Sequence, residues 1–193
     1  MALETLNDLY VEELKDLYSA ENQILKALPK MIKAATHTGL KQAFTDHLEQ
    51  SREHVARLVT ICEDLGVSPK GKKCNGMEGI LKEGSELIAE KPDAEVLDAG
   101  LASAAQHVEH YEMAGYGTVR TWARELGLEK HAALLQRTLD EEQAADLLLT
   151  QIAESRLNLD AEVSAGDGLA DMAPTSRGAT KKSRATGQQA EMR

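Results

Sequence analysis

The chain has 193 residues, a length that fits one domain with a substantial core. Its residues are 42% hydrophobic but only 3% aromatic, which is typical of helices rather than of a strand-rich sandwich, so we expect an all-α fold. The net charge of −10 argues against nucleic-acid binding, because phosphate binding depends on an excess of Lys and Arg.

Two further features bear on the cellular setting. Residues 1–5 lack the basic start and apolar run of a signal peptide, and no apolar segment approaches the ~20 residues that cross a bilayer. We therefore expect a soluble, cytoplasmic protein without membrane partners. Cys62 and Cys74 show no metal-ligand spacing and no disulfide framework, so we expect two reduced thiols.

The first half of the chain predicts a helical hairpin. Apolar residues recur every three or four positions in a first helix over residues 3–36, in which Pro29 is expected to cause a kink. Gly39 is expected to close that helix in a left-handed conformation. A second helix follows from about Leu40 to Gly66.

The second half repeats this plan after a crossover. Residues 68–75 are rich in Pro, Gly and Lys and predict a loop, and a short helix is expected over residues 77–90. A third long helix begins after Pro92 and ends at Gly127, and a fourth fades near Leu159. Residues 1–159 thus predict a four-helix bundle, and residues 160–193, which lack apolar periodicity, predict a disordered tail.

The two hairpins carry polar residues at matching positions. Glu21 and Glu109 each lie 18 residues before a turn glycine, Gly39 or Gly127. His54 and Glu142 each lie 15 residues after the same glycines. At a rise of about 1.5 Å per residue these side chains come to similar heights, so we expect one polar layer inside the bundle.

A buried carboxylate is costly unless a cation, a proton or solvent compensates its charge, so this layer predicts a metal site. Glu112 lies three residues after Glu109 and shares its face, whereas Asp146, four after Glu142, is at the edge of the apolar stripe and fits a surface ion pair equally well. The candidate metal ligands are Glu21, His54, Glu109, Glu112, Glu142 and Asp146.

The sequence leaves open whether several other polar residues contact the predicted site. His107 and His110 flank the glutamates and fit the surface better than the site. His47 and Gln50 occupy neighbouring rows of the second helix, where they could hydrogen-bond to ligands. Tyr18 could contact a carboxylate, although packing alone explains it.

Carboxylates with one or two imidazoles suit iron or manganese in the divalent state, whereas softer metals prefer thiolates. Such a pair of ions would react with O2 or peroxide. No Gly-rich phosphate loop and no Ser/His/Asp arrangement supports another class of enzyme.

Several short segments of the chain are distinctive, namely LYSAENQ at 17–23, LPK at 28–30, HLE at 47–49, CNGMEG at 74–79, AQHVEHYE at 105–112 and AGYG at 114–117. Through these segments the chain resembles, over residues 3–158, the YciF-like family of bacterial stress-associated proteins. The resemblance implies a ferritin-like four-helix bundle, a homodimer and a di-iron or di-manganese site. Ferritin-like sites usually carry Glu-x-x-His on the second and fourth helices. Here Ser51 precedes His54 by three residues, Gln50 replaces a carboxylate, and Asp146 comes without a histidine.

Two functions follow from these observations. The first is a stress-associated protein with a carboxylate-rich iron or manganese site that reacts with O2 or peroxide, as a ferroxidase, a peroxide-consuming enzyme or an iron-handling protein. The second is a metal-free structural or partner-binding bundle with protonated or hydrogen-bonded acids. In the second case, neutralising Glu142 should stabilise the protein.

Overall fold

In a computed structural model of the protein, residues 3–163 are described and contain helices and no strand. The five helices are α1 (Leu6–Ala34), α2 (Thr38–Asp64), α3 (Asn75–Glu90), α4 (Ala94–Glu125) and α5 (Glu129–Ile152). A π-helical turn, Ala153–Leu157, follows α5, and the chain stays helical from there to residue 163. The four long helices are the ones that the sequence predicts.

The long helices form two hairpins. The first hairpin pairs α1 with α2 and the second pairs α4 with α5, and contacts of α1 with α4 and of α2 with α5 close the bundle. The crossover helix α3 packs against α4 and α1. The predicted ferritin-like four-helix bundle with one long crossover is therefore confirmed.

The turn of the first hairpin differs from the sequence prediction. α1 ends at Ala34, and Gly39 lies within the first turn of α2 without a positive φ, so it does not form a left-handed cap. His37 instead caps α2, since its Nδ1 accepts a hydrogen bond from the backbone N–H of Leu40. The buried carboxylate of Asp98 on α4 accepts further bonds from the backbone N–H groups of Thr36 and His37, which ties this turn to the second hairpin.

The second turn lies at the predicted glycine, Gly127. Gly127 adopts a φ of 71°, where a residue without a Cβ is favoured. At the other end of α5, the helical path continues four residues beyond the predicted limit at 159. The rest of the predicted tail, residues 164–193, lies outside the described residues.

Two apolar clusters fill the bundle, one on each side of a polar layer. The first cluster contains Ile24, Leu28, Phe44, Leu101 and Leu149, and the second contains Tyr10, Leu14, Leu58, Tyr116 and Leu135. None of the helices in residues 3–163 combines the length and the apolar composition of a membrane-spanning segment. Both cysteines are buried free thiols, as predicted.

Candidate metal centre

The polar layer lies where the apolar stripes of the long helices are interrupted. On α1, Glu21 stands between Leu17 of the second cluster and Ile24 of the first. Side chains from all four long helices meet here, and each is at most 6% exposed. They are Glu21 of α1, His47 and His54 of α2, Glu109 and Glu112 of α4, and Glu142 of α5.

The first group of potential ligands consists of Glu21, His54 and Glu142. Nδ1 of His54 lies 2.9 Å from Oε1 of Glu142 and 3.1 Å from Oε1 of Glu21. One ligand atom from each residue lies within 4.8 Å of the others. Three helices thus bring an imidazole and two carboxylates to one point.

The second group consists of His47, Glu109, Glu112 and Glu142, again with ligand atoms within 4.8 Å of one another. Nε2 of His47 lies 3.5 Å from Oε1 of Glu109 and 3.9 Å from Oε2 of Glu142. Glu142 therefore belongs to both groups, with Oε1 facing His54 and Oε2 facing His47. If cations bound to the two groups, Glu142 would be a ligand available to either.

Many polar atoms of the layer are buried without a hydrogen-bond partner, although buried polar groups in proteins are nearly always paired. Both histidine nitrogens of His47, both oxygens of Glu112 and both of Glu142 are unsatisfied, as is one oxygen each of Glu21 and Glu109. Nδ1 of His54 also lacks a hydrogen bond despite its two close oxygens. This set of oxygen and nitrogen donors fits a hard or borderline divalent cation.

The orientation of His54 is set from outside the layer. Nε2 of His54 lies 3.0 Å from Oε2 of Glu141. The Glu141 carboxylate also accepts hydrogen bonds from Arg57, at 2.5 Å to Oε2 and 3.0 Å to Oε1, and from Arg137 at 3.2 Å to Oε1. If Nε2 carries the proton, the lone pair of Nδ1 faces Glu21 and Glu142. A carboxylate behind a histidine in this way is typical of metal sites.

Glu21 is held in a similar way. The hydroxyl of Tyr116 donates a hydrogen bond of 2.5 Å to Oε1 of Glu21, and both side chains are fully buried. Space for this approach of α1 to α4 comes from Gly115, where an added Cβ would lie 2.7 Å from Cδ2 of Leu17. Glycine thus lets the two helices pack closely next to the site.

The protonation of the metal-free layer is uneven. Burial, and then the negative charge of neighbouring glutamates, raises the pKa of both Glu109 and Glu112 well above the ordinary value. Burial opposes the charge on His54, but Glu142 and Glu21 outweigh it and raise the pKa of His54 to about 10. Burial also acts against ionised Glu142, but His54 and His47 outweigh it, so the pKa of Glu142 is lowered.

Five of the six predicted ligands converge in the layer, whereas Asp146 lies outside both groups. Oδ1 of Asp146 accepts a hydrogen bond of 3.1 Å from Gln106 and lies 3.2 Å from Nε2 of exposed His110. That contact matches the surface ion pair that the sequence left open. His107 is exposed as well.

The sequence did not predict the roles that three residues have in the layer. His47, expected only to support a ligand, belongs to the second group itself. Its position seven residues before His54, two helical turns away, is the signal that could have identified it. Tyr116 rather than Tyr18 contacts Glu21, and Glu141 supports His54. Ser51, found where a glutamate was expected, is buried with an unsatisfied hydroxyl.

The family comparison extends over nearly all described residues. Residues 5–162 match the model of a family described as a domain of unknown function, DUF892. The chain is 42% identical to protein YciF of Escherichia coli K12 over 163 residues, which are 84% of this chain and 98% of that protein.

Solved structures support the same grouping. The crystal structure of the E. coli stress protein YciF has a TM-score of 0.78, and the match, 42% identical, covers 81% of this chain and 99% of that one. YcfI of Rhodopseudomonas palustris, suggested to be a structural protein, has a TM-score of 0.75 at 44% identity, over 77% and 94% of the two chains. A protein of Xanthomonas campestris, 20% identical with a TM-score of 0.64 over 86% of this chain and 99% of that one, shares the fold. The chain therefore belongs to the YciF-like family, DUF892.

Proposed function

We propose that the buried layer binds two divalent cations, iron first and manganese as the alternative, and that the loaded protein reacts with O2 or peroxide. The observation that carries this proposal is the convergence of two donor groups on the shared Glu142, with most of their oxygen and nitrogen atoms lacking a hydrogen-bond partner.

Charge balance supports two ions rather than one. The layer contains four carboxylates, from Glu21, Glu109, Glu112 and Glu142. Two divalent cations would neutralise them when all four are ionised, and the two imidazoles would add neutral donors. Binding would displace the protons that burial and mutual repulsion keep on Glu109 and Glu112 in the metal-free protein.

Ferrous or manganous ions, when bound, would supply the electrons that reduce O2 or peroxide. The chain's own residues set the conditions for that reaction. Glu141 keeps Nδ1 of His54 directed into the layer, Tyr116 holds Glu21, and the two apolar clusters exclude bulk water on both sides. A water-poor site strengthens every electrostatic interaction within it.

A cavity of about 180 Å³ between α2 and α5 offers small molecules a route to the site. His47 and Glu109 form its inner wall, while Phe44 and Leu149 give it an apolar lining and Gln50 adds a polar group. O2 and hydrogen peroxide are both small enough for such a space. The cavity meets the second group of ligands rather than the first.

The relative in E. coli is called a stress protein, and we extend that setting to this chain as part of the proposal. Consumption of O2 or peroxide by a ferrous site would lower the concentration of that oxidant and of free Fe(II). A role in oxidative stress or iron handling follows from that chemistry.

Oxidant consumption tests the reaction. Protein loaded with Fe(II) without O2 is mixed with O2 or with H2O2, and the decline of each oxidant is followed against Fe(II) alone. Wild type should accelerate consumption of at least one oxidant. The Glu142→Gln variant should lose this acceleration and the Asp146→Asn variant should keep it, because only Glu142 belongs to the ligand groups. A wild-type rate equal to that of free Fe(II) would contradict the reaction.

A homodimer, which the family resemblance implies, is also proposed. Exposed apolar side chains on α5 support it, because Leu147 and Leu148 are 57% and 41% exposed. Light scattering during size-exclusion chromatography should give twice the chain mass, and a single chain mass at micromolar concentration would exclude a stable dimer.

The alternative function is a metal-free bundle, and the internal charge compensation favours it. Protonated His54 between Glu21 and Glu142, with protons kept on Glu109 and Glu112, lets the layer exist without a cation. The suggestion that YcfI is a structural protein agrees with this reading. Thermal unfolding separates the two functions, since only a metal-binding bundle gains stability from Fe(II) or Mn(II) in proportion to their affinity.

A further inference from the structure

A second and larger cavity, of about 350 Å³, opens on another side of the bundle among α1, α3 and α4. Apolar side chains form most of its floor, among them Ala27, Met31, Leu81, Ile88 and Val108. This size is at the lower end of the range for small-molecule sites, about 300–1,000 Å³. The crossover helix α3 thus covers a concave apolar surface instead of merely connecting the hairpins.

The rim of this cavity is basic although the whole chain has a net charge of −10. Four lysines line it, namely Lys26, Lys30, Lys73 and Lys82, with Glu78 as the one acidic lining residue. Lys73 pairs with Glu78, and Lys82 lies 3.4 Å from Glu86. Lys26 and Lys30 have no carboxylate within ion-pair distance among residues 3–163. Being four apart on α1, they share one face of that helix.

The inner end of the cavity leads toward the polar layer. A narrow space of about 10 Å³ shares Ala27, Met31, Leu81 and Val108 with the cavity. His47 and Glu109 of the second ligand group line the same narrow space. A space that holds about one water molecule is therefore lined both by residues of the cavity and by two residues of the second ligand group.

We propose that this cavity binds a small organic anion with an apolar body, such as a medium-chain carboxylate. The head group lies at Lys26 and Lys30, and the apolar chain lies along Ala27, Leu81 and Val108 toward the inner end. Lysine presents a compact positive charge that suits a carboxylate. The lysines of the rim would repel a metal cation. An uncharged ligand would form no ion pair with Lys26 or Lys30.

Binding to metal-free protein tests the proposal separately from the metal chemistry. Isothermal titration calorimetry compares octanoate, 1-octanol and octyltrimethylammonium, which share the apolar chain and differ in charge. Octanoate should bind with one site per chain, with at least about tenfold higher affinity than the cation and with weakening at higher salt. Equal affinities for the three ligands, or no octanoate binding, would overturn the proposal.

Two variants locate the site. Lys30→Glu places a negative charge at the rim and should weaken octanoate binding by about tenfold. Gly84→Leu adds a side chain to the cavity wall opposite Ala104, and leucine also favours the helix, so this variant should fold and lose binding. Lys130→Glu, at an exposed lysine of α5 outside the cavity, is the matched charge control and should bind as wild type does.

Unchanged octanoate binding in both Lys30→Glu and Gly84→Leu would show that the anion binds elsewhere, which overturns the assignment. Metal content of Lys30→Glu is measured in parallel. Lys30 is not one of the potential metal ligands. A Lys30→Glu variant that loses octanoate binding and keeps the wild-type metal content would therefore show that the two sites are independent.

Discussion

Nδ1 of His54 on α2 lies 2.9 Å from Oε1 of Glu142 on α5, so the two halves of the bundle meet through these side chains. The contact joins residues of different hairpins at a point that no solvent reaches, since both are 0% exposed. In the metal-free protein it is an ion pair with protonated His54. In a loaded protein the same two atoms would be ligands of one ion, so metal and proton compete for this position.

That competition predicts how pH affects the metal-free protein. His54 has a folded pKa of about 10 against an ordinary value of 6.5, so the stability that it contributes is complete below pH 6.5 and is lost as pH rises toward 10. Glu109 and Glu112 act in the same direction, because their raised pKa values keep protons that the unfolded chain releases above about 4.5. The midpoint of thermal unfolding should fall between pH 6.5 and pH 9.

Glu142 has the opposite sign, since its lowered pKa contributes stability that is lost only as pH falls below the ordinary glutamate range. Glu142 therefore does not offset the predicted fall of the unfolding midpoint between pH 6.5 and pH 9. Circular dichroism melts in metal-free buffer at constant ionic strength measure the effect. A melting midpoint that rises from pH 6.5 to pH 9 would show that the layer is not protonated in this way.

Glu112→Gln should stabilise the metal-free protein at pH 8 by about 1 to 3 kcal/mol, because the neutral amide has the shape of the acid but needs no proton to be taken up on folding. Burial and the charges of Glu21 and Glu142 are what raise the pKa of Glu112. Urea unfolding with chelator present gives the free energy. The same variant should bind less metal, so stability and metal binding change in opposite directions.

The matched variant is Glu142→Gln. From the sequence, neutralising Glu142 was expected to relieve repulsion, but its contact with His54 shows that the charge has a partner. This variant should therefore destabilise the metal-free protein, or leave it unchanged, where Glu112→Gln stabilises it. Equal stabilisation by both would mean that His54 is not charged.

Glu141→Ala should lower metal affinity by about 10- to 100-fold without removing a ligand, because His54 loses the carboxylate that fixes its ring. Competition with a chromophoric chelator measures the affinity. Arg137→Gln removes a contact of exposed Arg137 to the same carboxylate and serves as the control, with affinity expected to stay within about twofold of wild type. An unaffected Glu141→Ala variant would exclude a supporting role for this residue.

Two glycines of α4 allow a matched test of how closely α1 and α4 pack. A Cβ at Gly115 would lie 2.7 Å from Cδ2 of buried Leu17, whereas nothing lies within 4 Å of a Cβ at Gly117. Gly115→Ala should destabilise by about 1 kcal/mol or more, and Gly117→Ala should stabilise by up to about 1 kcal/mol through helix propensity. Equal melting midpoints for the two variants would contradict the close approach of α1 to α4.

The layer could be predicted from spacing because the rise of an α-helix is uniform. Matching distances from Gly39 and Gly127 brought Glu21, His54, Glu109 and Glu142 together, even though Gly39 turned out to lie inside α2. A shift of the turn by a few residues moves a side chain along the axis by only a few ångströms. An error of a few residues in a predicted helix end therefore changes the predicted position of a side chain along the bundle axis only slightly.

Helix rotation and side-chain reach were harder to predict. Asp146 lies one turn from Glu142, yet a small rotation decides that it faces Gln106 and His110 instead of the core. Glu141 precedes Glu142 by one residue and so lies outside its row, yet its side chain reaches the outer nitrogen of His54. Contacts of this kind depend on the neighbouring helix, which a single sequence does not specify.

Metal content per chain tests the central claim most directly. Protein loaded with Fe(II) or Mn(II) without O2, then desalted, is measured by elemental analysis beside Glu142→Gln and Asp146→Asn. We predict about two ions per chain for wild type and for Asp146→Asn, and fewer than one for Glu142→Gln, the residue common to both ligand groups. Less than about half an ion in wild type, or a content that Glu142→Gln leaves unchanged, would contradict a metal centre in this layer.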